Sequence, residues 1–233
     1  MNLTHYSLHN EVTEGIINAY CRFKLGDPVQ LNKYSELIAR MLKEHSFRAK
    51  SAFVYATNRA PTHQHYKKNS LLLAEKVGEL LSIPTIVGEY SFKYTPETFY
   101  DNALERKVLQ PKVNPEDQEE HRSKTVLMID DSIVSGQSLE ASIKELSTFA
   151  NDLVFVSVVD LRNTDLPEKS LNTYLDSNIQ LLQELILMPG YIFTTQMLRT
   201  VNNLSAEDRS ALLEIIGAEK TEQLENSLKD YAG

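Results

Sequence analysis

The chain has 233 residues, 42% of them hydrophobic and 24% charged, with a formal net charge of −8. That length suits one large domain or one domain with an appendage, and the composition is ordinary for a globular protein. The acidic balance argues against a general binder of nucleic-acid backbones. No apolar run approaches the ~20 residues that span a bilayer.

The polar start, Met1 to Asn10, predicts no signal peptide. The single cysteine, Cys21, allows no internal disulfide, and a cytoplasmic location is expected. Cys21 has apolar neighbours in a helical stretch and reads as a buried thiol.

Residues about 8 to 23 carry Val12, Ile16, Ile17, Tyr20 and Phe23 at helical spacing. Gly26-Asp27-Pro28 breaks that pattern. A second helix follows, with Leu31, Tyr34, Leu37, Ile38, Met41 and Leu42 on one face. Ala52 to Ala56 reads as a strand ending near Thr57-Asn58-Arg59. A helix from about Asn69 to Leu81 precedes Pro84 and a strand, Thr85 to Phe92. Residues 94–123 are aperiodic and hold Pro96, Pro111 and Pro115. Insertions of this length often serve as lids or binding loops; a tolerated surface excursion is the alternative.

Val126-Leu127-Met128-Ile129 is a buried strand ending in Asp130-Asp131. A helix from about Ser138 to Ala150 and a strand from Leu153 to Val159 follow. The tail is helical, with a stop at Pro189-Gly190. A capping-box-like Ser205-Ala206-Glu207-Asp208 opens a helix that ends at Gly217, and a last helix covers Thr221 to Tyr231.

Alternating strands and helices predict an α/β fold, a mostly parallel sheet flanked by helices. Three segments are expected: a helical N-terminal segment 1–50, an α/β core 51–166 with a flexible hood 94–123, and a helical C-terminal extension 167–233.

The acid pair is the chemical focus. In open parallel sheets, ligands bind beyond the carboxyl ends of the strands. Ionised carboxylates accept well from the vicinal hydroxyls of a ribose. Ser135, Gly136, Gln137 and Ser138 offer backbone N–H groups and two hydroxyls to a phosphate at a helix start. Gly136 permits the tight turn.

Strand, acid pair and small-residue loop together resemble the phosphoribosyl-diphosphate (PRPP) signature of type I phosphoribosyltransferases. The resemblance spans about residues 50 to 162. It implies that Asp130 and Asp131 hold the ribosyl hydroxyls, with a catalytic role, and that Ser135, Gly136, Gln137 and Ser138 hold the 5′-phosphate. It also implies that Asn58, Arg59 and Lys93 meet the diphosphate, with Lys93 alternatively an ordinary solvated lysine. Magnesium would bridge diphosphate and ribose oxygens as the cofactor, with no direct protein ligand. The residues from Arg59 to Glu75 also resemble ComF-type members.

Val134 stands where 6-oxopurine enzymes carry an acid that serves the base, which argues against hypoxanthine or guanine as acceptor. The activity so implied is phosphoribosyl transfer to an unknown nitrogenous acceptor. The rival is a nucleotide-binding regulator or effector of the same fold without turnover. The helical ends could set acceptor specificity, or form a homodimer or a protein interface.

Other patterns are weaker. A receiver domain would need a later phosphoacceptor Asp, and Asp160 comes too early. His63, His65 and His121 read as solvated. Tyr90, Tyr94 and Tyr100 could stack on a base or simply pack. Lys67-Lys68 is too short for a basic patch.

Overall fold

The computed structural model describes residues 1–10, 13–47, 52–59, 66–90, 111–133, 136–162 and 179–232. In chain order they form β1 (Asn2–His9), α1 (Glu14–Lys24), α2 (Pro28–Glu44), β2 (Ala52–Arg59), α3 (Asn69–Leu81) and β3 (Thr85–Tyr90). These are followed by α4 (Pro115–Glu120), β4 (Thr125–Ile133), α5 (Gln137–Leu146), β5 (Asp152–Asp160), α6 (Ile179–Ile186), α7 (Thr195–Asn202) and α8 (Ala206–Ala232). The five strands make one all-parallel sheet in the order β1-β5-β4-β2-β3.

The central strands are apolar on both faces because helices cover both. Side chains alternate along them. Val54, Ala56, Leu127, Ile129, Val156 and Val158 join a cluster with α1, α2, α3 and the C-terminal helices. Phe53, Tyr55, Val126, Met128, Leu153 and Phe155 join another with Leu146 and Phe149. The larger cluster runs without a break from Leu25 and Leu42 through Leu127 to Leu185, Leu198 and Leu224.

From β2 the chain passes through α3 to β3 on one side; from β4 it passes through α5 to β5 on the other. The strand order therefore reverses between β2 and β4, and a crevice at such a point is where open parallel sheets hold ligands.

The N-terminal segment holds the expected helices, α1 and α2, and one strand not read from the sequence. It opens with β1, which lies along β5 from Asn2↔Asp152 to His9↔Val159. Its sequence lacks an apolar run because it is an edge strand with exposed or half-buried side chains; pairing with β5, not intrinsic preference, makes it extended.

Of the expected hood 94–123, residues 94–110 lie outside the described ones, as do residues 91–92 of the expected third strand. The rest is ordered against the sheet. Lys112 exchanges backbone hydrogen bonds of 2.9 and 3.0 Å with Glu89 of β3. The Asn114 carboxamide accepts from the Glu116 N–H at 3.0 Å and caps α4. His121, expected to be solvated, is buried edge-on against Phe53. His63 and His65 lie outside the described residues.

Of the expected extension 167–233, residues 167–178 lie outside the described ones; the described part is helical, as its spacing predicts. The Ser205 hydroxyl accepts from the Asp208 N–H at 3.1 Å and donates to the Asp208 carboxylate at 2.8 Å. Gly217, with φ +78°, breaks α8. Among the described residues no helix is long and apolar enough to cross a membrane.

The turn between α1 and α2 is fixed by Asp27, which is 1% exposed. Its carboxylate accepts from the Val29 N–H at 2.8 Å, capping α2, and from Arg22 Nε at 2.7 Å. Asp27→Ala removes a cap and one partner of a buried pair. It is expected to cost about 2–4 kcal/mol, to be read as a lower midpoint in chemical denaturation.

Candidate functional site

The crevice between the ends of β2 and β4 holds the acid pair. Asp130 lies opposite Ser157 of β5 in the sheet register. The Asp131 N–H donates to Asp130 Oδ1 at 2.9 Å, and the two carboxyl groups hydrogen-bond each other. Asp131 forms a close ion pair with Lys24 Nζ from the last turn of α1. Lys68, just before α3, donates to Thr57 Oγ1 of β2 at 3.4 Å and so spans the crevice; its charge acts on both acids.

These surroundings drive the two acids apart. Burial, then the Asp131 charge, pushes Asp130 up to about 7, against the pull of Lys68. Burial would raise Asp131 as well, but the Lys24 ammonium, the hydrogen bond from Asp130 and the Lys68 charge outweigh it and hold Asp131 below the usual carboxylate range. Asp130 therefore holds its proton well above the usual carboxylate range and, when protonated, donates it to an ionised Asp131.

Tyr20 lines the same wall. Burial and then the Asp131 charge raise its phenol far above the ordinary value, while Ser132 hydrogen-bonds it. Its ring centroid lies 6.0 Å from Lys24 Nζ, within cation–π range. Cys21 is fully buried, with its thiol pushed up to about 11 by burial, which agrees with an inert role.

Two distant segments fix this wall. The carbonyls of Phe23, Lys24 and Leu25 accept from Asn69 Nδ2 at 2.6 Å, Thr194 Oγ1 at 2.9 Å and the Tyr191 hydroxyl at 2.7 Å. Lys67 pairs with the same C-terminal stretch: its N–H donates to the Phe193 carbonyl, and its carbonyl accepts from the Thr195 N–H, each at 3.2 Å.

Of the expected site residues, Asp130, Asp131, Gly136 and Ser138 come together at the end of β4. Gly136 has φ +78° and caps the start of α5, a conformation that favours glycine. Ser138 is exposed in the first turn. The backbone of Asn58 and Arg59 ends β2, paired with Glu89 and Tyr90 of β3. The side chains of Asn58, Arg59, Tyr90 and Gln137, and all of Ser135, Lys93, Tyr94 and Tyr100, lie outside the described part.

Lys24, Lys68, Tyr20 and Thr194 were not singled out from the sequence. The sole hint was the Lys67-Lys68 doublet ahead of α3.

Among the described residues no cluster of three His, Cys, Asp or Glu side chains could hold a metal. The acid pair is a poor direct ligand, with Asp131 taken by Lys24 and Asp130 engaged by Asp131.

No family model matches the sequence, and no curated protein matches it. Several solved structures do. A hypoxanthine phosphoribosyltransferase from Staphylococcus aureus is 15% identical, with a TM-score of 0.38 over 68% of this chain and 73% of that one. A hypothetical protein from Neisseria gonorrhoeae with bound ppGpp is 16% identical, with a TM-score of 0.37 over 60% and 74%. The UMP synthase of Leishmania donovani is 12% identical, with a TM-score of 0.39 over 93% of this chain and 42% of that one.

Proposed function

We propose that the crevice binds PRPP with magnesium and transfers the phosphoribosyl group to a nitrogenous acceptor, releasing diphosphate. The observation that carries this reading is the acid pair at the end of β4, at the point where strand order reverses, followed directly by a glycine turn and a helix start. Asp130 and Asp131 would accept from the ribose hydroxyls. The backbone from Ser135 to Ser138 would receive the 5′-phosphate, as N–H groups at a helix start do. Asn58, Arg59 and Lys93 would meet the diphosphate.

In the reaction, the acceptor nitrogen's lone pair forms the bond to the anomeric carbon while the carbon–oxygen bond to diphosphate breaks. The electron pair leaves with diphosphate, and the acceptor's proton passes to solvent. A bound magnesium ion would supply positive charge to the leaving group. Lys24 and Lys68 supply more from the protein side.

The Asp131–Lys24 pair also supports a second reading, binding without turnover, because Lys24 already satisfies the acid from within the chain. That protein would be a nucleotide-dependent regulator or effector.

Calorimetry with PRPP and magnesium, together with diphosphate release in the presence of candidate bases, separates the possibilities. Binding with release is expected. Binding alone selects the regulator, and the absence of both overturns the reading. Asp131→Asn removes a charged acceptor worth about 1.5–3 kcal/mol, so PRPP affinity is expected to fall roughly 10- to 100-fold. Unchanged affinity would remove Asp131 from the site.

A further inference from the structure

We propose that Thr194, in the C-terminal extension, is the positioning residue that holds Lys24 and Lys68 against the acid pair. Thr194 is fully buried and touches neither acid. Its hydroxyl donates to the Lys24 carbonyl at 2.9 Å and accepts from the Met197 N–H at 3.2 Å, so it ties the end of α1 to the start of α7. Its backbone lies beside Lys67 in a parallel bridge, which fixes the residue immediately before Lys68. Lys24 thus hangs from the Thr194 hydroxyl, 170 positions away in the chain, and Lys68 follows a residue bonded to the backbone on either side of Thr194, at Phe193 and Thr195.

The apposition is close. Gly26 has φ +94°, and a Cβ there would lie 2.9 Å from the Ile192 carbonyl and 3.0 Å from Thr194 Cγ2. A lysine ammonium sits on a flexible four-carbon stem, so its placement depends on where its backbone is held. Without the Thr194 hydroxyl, the Lys24 carbonyl and the Met197 N–H lose a buried partner. Asn69 and Tyr191 still hold the carbonyls of Phe23 and Leu25, so the Lys24 peptide between them is what loses its tether, and the Lys24 ammonium is expected to shift with it. The groups facing Asp131 among the described residues are Asp130, Lys24, Lys68 and Tyr20.

The test compares Thr194→Val, which keeps the shape and loses the hydroxyl, with Thr194→Ser, which keeps the hydroxyl. The carboxyl titration of the acid pair is followed by carbon NMR in the ligand-free protein. PRPP affinity, which rests on the function proposed above, is measured separately. In Thr194→Val, Asp131 is expected to titrate about one pH unit higher or more, as it loses its cation, and affinity is expected to drop tenfold or more. Thr194→Ser is expected to match the wild type in both.

If Thr194→Val only lowers the melting temperature and leaves the titration unmoved, the role is structural and the inference is overturned. Should that variant not fold, Thr194→Cys, whose thiol is a weak donor, is read in its place with the same two outcomes. A wild-type chain that binds no PRPP overturns the proposed function, while the titration still decides this inference.

Discussion

Asp130→Asn is expected to stabilise the protein at pH 8 while weakening binding of a ribosyl ligand roughly tenfold or more. Asp130 titrates at about 7 in the folded chain against an ordinary 3.8, because burial and the neighbouring Asp131 charge disfavour its ionised form. A carboxyl raised in this way contributes stability that is fully present below the unfolded value and is lost as pH rises through the folded one. Between about pH 4 and 7 the wild type therefore loses stability from this residue. The gap corresponds to at most ~4 kcal/mol. Asp130 is only half-buried, so water screens part of it and about 1–2 kcal/mol is expected.

The asparagine amide is neutral at every pH and keeps a donor toward Asp131. Its gain should accordingly appear at pH 8 and vanish at pH 4 in paired denaturant melts. Asp131 contributes with the opposite sign: its lowered titration adds stability above pH 4 that is lost in more acidic solution. The asparagine amide still donates to Asp131, so that contribution is expected to be similar in the two proteins above pH 4. An equal difference at both pH values would show that Asp130 is not the titrating group. A gain in stability together with weakened binding is the expected mark of a residue kept for function.

Gly88→Ala is expected to destabilise the sheet by about 3 kcal/mol. Gly88 sits in β3 opposite Thr57 of β2. A Cβ there would lie 2.1 Å from the Tyr55 hydroxyl oxygen and 2.7 Å from Cζ. Tyr55 is fully buried, so its ring can move only by displacing its neighbours. Overpacking of this sort costs typically 1–3 kcal/mol, and an overlap against a rigid ring belongs at the upper end. Adding Tyr55→Phe removes the closest atom and leaves the ring, so the double variant is expected to recover roughly half the loss. Urea denaturation of the four proteins closes the cycle. A Gly88→Ala variant as stable as the wild type would mean that β2 and β3 separate at no cost.

The legible parts of this molecule are those whose causes are local. Val126 to Ile129 and Leu153 to Val156 are apolar on consecutive positions because both sheet faces are covered, and the run itself is the signal. The acid pair and Gly136 are adjacent in sequence, so their joint position at a strand end could be read directly. Lys24 and Thr194 could not be found that way. Lys24 meets Asp131 across 107 residues and Thr194 across 170, and no spacing rule reaches that far. β1 was missed for a related reason. Asn2 to His9 has few apolar residues, and its extended form depends on a partner far along the chain. His121 looked solvated beside Glu119 and Glu120, yet the turn after α4 tucks it under Phe53.

The parallel pairing of β1 with β5 has a consequence for the order of assembly. The two strands are 150 residues apart, as the Asn2–Asp152 side-chain hydrogen bond marks. Closing so large a loop costs more entropy than any other strand pairing in this sheet, and contacts of such separation form slowly. Until Asp152–Asp160 is in place beside β4, Asn2–His9 has no strand neighbour among the described residues. It carries no acidic or basic residue other than histidine to discourage a wrong one. The same eight residues that complete the folded sheet are therefore its most exposed liability while the chain is still folding.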